Sequence, residues 1–190
     1  MTEHTENTKK WFAGWGRDFV LSLGVSAGDR ILDFGCGIGS YVLPLAAAVG
    51  AGGHVTAVDE NERNISEIRE KLGELEGSGI SEIDIRHTDG SLEFGWLADG
   101  VEDGAFVFDV LQHVSDWGKL FGEVKRVLRE GGRVYVNPST LSHPGEVDMK
   151  VLHGLLAEMG FEHVYTRREK VMHYKHFAED EIFVFELKSK

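Results

Sequence analysis

The run RILDFGCGIGS, residues 30–40, constrains the fold of this chain more than any other stretch. A short apolar segment over Arg30–Phe34 reads as a buried strand, and glycines at 35, 37 and 39 follow it without a spacer. A helix-like apolar run over residues 40–49 comes next, with Pro44 early in it, where a missing N–H costs least. Glycines between a strand and a helix let the backbone approach a ligand closely, at the positive end of the helix dipole. In open α/β sheets the first such junction borders the ligand crevice.

The rest of the chain repeats the same alternation. Upstream, Trp11, Trp15, Phe19 and Leu23 recur every four residues and predict one amphipathic helix ending near Gly24. Downstream, a strand over 54–58 precedes a helix carrying Ile65, Ile68, Leu72 and Leu75, and a turn at 77–79 leads to a strand around Ile83 and Ile85. Residues 105–108 read as a fourth strand. Trp117, Leu120, Phe121, Val124, Val127 and Leu128 mark a helix, with Gly131 and Gly132 in the position that helix C-caps favour. A fifth strand over 133–136 is followed by Pro138, Pro144 and a helix with Val151, Leu152, Leu155, Leu156 and Met159. Two closing strands, at 163–166 (extending toward Val171) and 182–187, read as a hairpin joined by the polar stretch 178–181. The pattern predicts one α/β domain over 1–190: an N-terminal helix (1–24), a ligand-binding core (30–136), and a closing helix and hairpin (137–190).

Composition narrows the partners. The net charge is −12. The densest basic stretch, Thr166 to Lys170, is interrupted by Glu169 and reads as a solvated strand face. An acidic chain of this kind points to a small molecule as partner, with no nucleic acid and no membrane surface. The first residues are polar and the longest apolar run is far short of the roughly 20 residues a membrane span needs, so the expected location is cytoplasmic. The single cysteine, Cys36, excludes an internal disulfide and a thiolate zinc site, and reads as a small residue tucked into the glycine turn. His143, His153, His163, His173 and His176 are scattered without a ligand motif, so no metal is expected.

The acids around the turn bear on the ligand. Dinucleotide sites usually carry a glycine at the sixth position of the turn, where this chain has Ser40. Asp33, two residues before the first glycine, would oppose a diphosphate but attract an ammonium group. Asp59 ends the second strand about 20 residues beyond the glycines, the separation expected for one intervening helix, and its two oxygens suit a pair of hydroxyls.

At these residues the chain resembles the class I S-adenosylmethionine-dependent methyltransferases of the small-molecule type. The stretch from Asp33 through Gly35, Cys36, Gly37 and Gly39 is similar to that family's glycine motif; Asp59 stands where its ribose-binding acid stands, with Glu60 beside it; Asp89 and Gly90 resemble the pair beside the adenine. The segment DGAFVFDVLQHVSDW resembles the fourth-strand region, in which Asp109 borders the methionine end of the cofactor, and LREGGRVYV resembles the entry to the fifth strand. The resemblance covers residues 31–136. It implies a Rossmann-like, doubly wound seven-stranded sheet, mostly parallel with an antiparallel C-terminal edge and helices on both faces. It also implies S-adenosyl-L-methionine as cofactor and a small-molecule methyl acceptor.

Direct methyl displacement needs alignment and exclusion of water, and a general base only if the acceptor must lose a proton. His113 is the candidate base, against a plain role in shaping the pocket. Trp117 and Asn137 are candidates for acceptor binding, against a core position and a turn. The N-terminal helix is a candidate lid, against a face packed on the sheet. Two other readings stay open: an NAD-dependent oxidoreductase, and a non-catalytic module that binds S-adenosylmethionine. With few residues outside the core, the substrate site is expected to be either shallow or completed by another subunit of a homo-oligomer.

Overall fold

The computed structural model describes residues 3–73, 80–139, 145–174 and 176–189. The expected helix position Leu75, the turn at 77–79, His143 and Pro144 lie outside the described residues. Seven strands form one sheet in the order β3-β2-β1-β4-β5-β7-β6. The chain packs as two compact units, residues 1–90 with 172–177 and residues 91–171 with 178–190.

In the first unit, β1 (Arg30–Phe34), β2 (His54–Asp59) and β3 (Glu82–His87) run parallel, with Asp33 opposite Ala57. β1 and β2 are buried almost throughout, which is why they read as continuous apolar runs rather than alternating ones. Helix α3 (Val42–Val49) turns Val42, Leu45 and Ala46 inward, and α4 (Glu62–Gly73) contributes Ile65 and Ile68.

The N-terminal segment differs from the single helix that its four-residue spacing predicts. It forms α1 (Glu3–Lys10), a π-helical turn (Trp11–Trp15) and α2 (Gly16–Ser22), with a break at Gly14, whose φ is 149°. The cause lies in close packing. A Cβ on Gly16 would lie 2.7 Å from Pro44 and 2.8 Å from the Trp11 ring, so α2 approaches α3 only because residue 16 has no side chain. Trp11 is 1% exposed, stands edge-on to Tyr41 and Phe177, and donates its indole N–H to the Ser40 carbonyl at 2.7 Å. Trp11, Phe19 and Leu23 therefore form a packed face, while Trp15 is exposed and stacks on Phe177. The same region holds the turn between β6 and β7: the Tyr41 hydroxyl donates to the Met172 carbonyl and accepts from its N–H, both at 3.1 Å, while Ser40 Oγ donates to the Tyr174 carbonyl at 3.0 Å.

In the second unit, β4 (Glu102–Phe108) pairs parallel with β5 (Leu128–Asn137), and β5 pairs antiparallel with β7 (His176–Leu187), which lies between β5 and β6 (Phe161–His173). Helix α5 (Trp117–Val127) is capped by the Asp116 carboxylate on the Lys119 N–H and buries Leu120, Phe121, Val124 and Val127. Helix α6 (Met149–Glu158) is capped by Asp148 and buries Leu152 and Leu156.

Two boundaries correct the sequence expectation. Leu128 is extended, and Gly131 and Gly132 do not cap α5: they lie inside β5, where the register shifts between the pairs Glu102–Leu128 and Gly104–Arg133. A Cβ on Gly132 would lie 2.9 Å from the Arg129 carbonyl oxygen, so glycine serves a tight bulge there. The polar stretch 178–181 is not the hairpin connection but part of β7, and the strands reverse after Tyr174, whose φ is 50°. Asp180 is fully buried there, which its polarity concealed. The basic stretch 166–170 does lie on a largely exposed face of β6.

Among the described residues no helix is long and apolar enough to cross a membrane. Replacing Trp11 by Ala should cost about 3–5 kcal/mol in urea unfolding, because it empties the largest buried ring site of the first unit. Trp11→Phe keeps most of the volume and should cost about 1–3 kcal/mol, chiefly through the Ser40 carbonyl left without its donor. Equal effects of the two variants would show that the indole hydrogen bond carries the whole contribution.

Candidate active site

The glycine turn belongs wholly to the first unit. Gly35, Gly37 and Gly39 have φ of 71°, 54° and 84°, in the left-handed region that side chains disfavour. Its amides are largely committed to the turn itself. Gly35 and Cys36 both donate to the Val58 carbonyl, at 2.9 and 3.0 Å, Gly39 donates to Cys36, and Gly37 donates to Asp59 Oδ2 at 2.8 Å. The glycines thus supply shape and open space more than donors: nothing lies within 4 Å of a Cβ built on Gly37.

Asp59 is the organising anion. Besides Gly37, it accepts from the Asn61 N–H at 2.8 Å and the Asn64 side-chain amide at 3.1 Å, both on Oδ1. It is 9% exposed. Asn61 and Asn64 carry no obvious signal in the sequence beyond their place at the start of α4.

Asp33 contrasts with it. It is 3% exposed, and its Oδ2 is buried with no hydrogen-bond partner. Burial, and secondly the charge of Asp59, raise its pKa to about 7. The same causes push the Cys36 thiol well up, burial first and then Asp33 and Asp59, so Cys36 stays protonated and is no nucleophile.

Beyond β2 and β3 opens a polar cleft of about 480 Å³, lined by Glu60, Asn61, Glu62, His87, Thr88 and Asp89. His87 Nε2 lies 2.9 Å from the Glu60 carbonyl, and the Thr88 N–H donates to the Asp59 carbonyl at 3.0 Å, which joins the two strand ends. Asp89 and Glu60 are both exposed at the cleft, and a Cβ on Gly90 would lie 3.1 Å from Glu60 Oε2. The structure therefore gathers Asp33, Gly35, Cys36, Gly37, Gly39, Asp59, Glu60, Asp89 and Gly90 in one unit.

The remaining candidates belong to the second unit, at the ends of β4 and β5. Asp109 and Ser139 both have φ of 53°, unusual for residues with side chains, and the Ser139 hydroxyl donates to Asp109 Oδ1. Asp109 donates its N–H to the Asn137 carbonyl at 3.1 Å, and its own carbonyl accepts from the Gln112 amide at 2.9 Å. Asn137 is fully buried and its amide group donates to the Glu181 carbonyl at 2.8 Å. His113 ends a 3₁₀ turn (Leu111–His113) and is exposed. Trp117 is half-buried, with its indole N–H on the Leu111 carbonyl at 3.0 Å. Ser139 and Gln112 were missed in the sequence, where a serine after a proline and a glutamine in a turn carry no signal.

Among the described residues no three His, Cys, Asp or Glu side chains cluster as metal ligands. Four of the later histidines instead fall in two pairs, His153 with His163 and His173 with His176, with ring centroids 5.2 and 5.7 Å apart.

Residues 32–136, more than half of the chain, match the methyltransferase domain family. An uncharacterized 37.1 kDa protein in a Streptomyces fradiae transposon is 32% identical over 146 residues, which are 77% of this chain and 38% of that protein. A demethylmenaquinone methyltransferase of Staphylococcus aureus is 28% identical over 123 residues, 63% of this chain and 47% of that one. The chain thus spans less than half the length of these relatives. Among solved structures, a SAM-dependent methyltransferase from Aquifex aeolicus aligns with a TM-score of 0.73 at 18% identity, covering 98% of this chain and 100% of that one. The magnesium protoporphyrin IX methyltransferase of Synechocystis, solved with SAM bound, aligns with a TM-score of 0.66 at 20% identity, covering 98% of this chain and 80% of that one. These last two show likeness of fold. With the family match running from β1 to the end of β5, the chain belongs to the methyltransferase domain family and has its class I fold.

Proposed function

We propose that this chain binds S-adenosylmethionine and transfers its methyl group to a small-molecule acceptor. The observation that carries the reading is Asp33, a buried carboxyl with an unpartnered oxygen next to a second acid. A site of that kind repels the diphosphate of a dinucleotide and favours a group that brings positive charge and N–H donors, which the ammonium of the cofactor does. That disfavours the NAD reading. When bound, S-adenosylmethionine supplies an electrophilic methyl group on a sulfonium.

The chain's own residues then have distinct tasks. Asp33 receives the ammonium group. Asp59, which already accepts from three N–H donors, two on Oδ1 and one on Oδ2, has an acceptor site left on Oδ2 for a ribose hydroxyl, and Glu60 lies beside it at the cleft. Asp89 accepts from an exocyclic amine in the same cleft. In the second unit, Asp109 is fixed by Ser139 and Gln112 for the methionine end, and exposed His113 is available to take a proton from a hydroxyl or amine acceptor. Trp117 is the candidate wall for an acceptor. Asn137, already committed to Glu181, supports the β5 end that such an acceptor would meet. The net charge of −12 supports a small acceptor over a nucleic acid.

The direct test is calorimetric titration with S-adenosylhomocysteine. Micromolar binding is expected, weakened by about 1.5–3 kcal/mol in Asp59→Ala, which loses the ribose acceptor and the tie to Gly37. Binding of NAD instead, or an unchanged affinity in the variant, would reject the assignment.

Asp33 also predicts a pH-dependent stability in the ligand-free protein. Its folded pKa of about 7 exceeds the ordinary aspartate value of 3.8, so its contribution is fully present below about pH 4, fades as the pH rises, and is lost above about pH 7. Asp33→Asn has no carboxyl to ionise. Its melting temperature should rise relative to wild type between about pH 4 and pH 7 and then level off, at a gain on the order of 2–4 kcal/mol. A difference between the two proteins that does not change with pH would refute this.

A further inference from the structure

Two buried carboxylates interact near the ends of β1 and β2, and the structure surrounds them unequally. Asp59 accepts from three donors, the N–H groups of Gly37 and Asn61 and the side-chain amide of Asn64. Asp33 has an oxygen with no donor and sits in a buried place beside that charge. The third titratable group there, the Cys36 thiol, stays protonated for the same reasons. The nearby positive charge on α4, Lys71, is engaged by the Ile38 carbonyl at 2.8 Å and by Glu67 at 3.1 Å. When two like charges share one site, the proton goes to the acid with fewer donors, here Asp33.

We propose that Asp33 couples cofactor uptake to proton release: it is protonated in the free protein, and its proton leaves to solvent as the ammonium group of the ligand arrives beside its unpartnered oxygen. Charge balances in the exchange. A neutral carboxyl and an ammonium become a carboxylate–ammonium pair, and one proton passes to the buffer. No covalent bond of the ligand changes. This inference rests on the S-adenosylmethionine reading and adds to it a pH dependence carried by one residue. Cofactor affinity rises with pH through neutrality, and a nucleoside thioether lacking the amino-acid group escapes the linkage.

The test is calorimetric titration of the whole chain with S-adenosylhomocysteine at about pH 6 and pH 8, each in two buffers of different ionisation enthalpy, so that protons released are counted. Wild type should release close to one proton at the lower pH and about a tenth of one at the higher, and bind about tenfold more weakly at the lower. Methylthioadenosine, which has the nucleoside but no ammonium group, should bind without proton release and with an affinity that pH does not alter. Asp33→Asn should bind S-adenosylhomocysteine without releasing a proton. If wild type binds S-adenosylhomocysteine but releases none at pH 6, or if Asp33→Asn releases as many as wild type, the linkage is wrong while the cofactor reading stands. If methylthioadenosine releases the proton too, the ammonium is not its cause and the proposal falls. Failure of S-adenosylhomocysteine to bind at either pH removes both.

Discussion

The hydrogen bond from the Gly37 amide to the Asp59 carboxylate is the contact on which the ligand end of the first unit depends. It spans 22 residues of sequence and joins the turn after β1 to the end of β2. Three positive-φ glycines are intrinsically costly to order, because glycine loses more conformational freedom than any other residue. A loop of that kind holds one shape only if its amides find fixed acceptors, and here they find the Val58 carbonyl and Asp59. The same carboxylate also takes the Asn61 amide, so the start of α4 is set by the atom group that sets the turn.

Behind the turn, three distant segments meet within the first unit. Trp11 from the N-terminal segment donates to Ser40, Ser40 donates to Tyr174, and the Tyr41 hydroxyl bonds both main-chain groups of Met172. Ser40 stands where a dinucleotide-binding turn carries glycine, and the departure has a structural use. Both its carbonyl and its hydroxyl are employed in anchoring other segments, which a glycine could do only by half.

How much of this was legible beforehand follows from which forces wrote it. The parallel strands and the helices on them left apolar periodicity, and the seven-stranded order follows from that alternation together with the family likeness. The acids around the glycines were legible because their positions are tied to strand ends. What escaped notice depended on packing that leaves no periodic trace. Gly131 and Gly132 suit a helix cap and a strand bulge equally well, and only the crowding of Gly132 against Arg129 decides for the bulge. The four-residue spacing from Trp11 to Leu23 continues across a break that Gly14 alone permits. Residues 178–181 look like a loop because Asp180, though polar, is buried in β7. Ser139 and Gln112 matter only through their bonds to Asp109, and those depend on left-handed backbone at residues where sequence does not announce it.

Asp33 and Asp59 show how a chain makes two like residues unlike. Asp59 is the last residue of its buried parallel strand and Asp33 the last but one of its own, and in sequence each is an acid near a glycine turn. The difference is the supply of donors: three for Asp59, and none at one oxygen of Asp33. A supported carboxylate is a fixed acceptor that orients neutral hydroxyls without changing its own state. An unsupported one sits at the edge of ionisation and responds to whatever charge arrives. Supplying Asp33 with an internal cation would have stabilised the empty fold but removed the attraction for a cationic ligand. On the proposed function, the missing partner is what selects a cationic ligand, and its cost falls on the empty protein rather than on the complex.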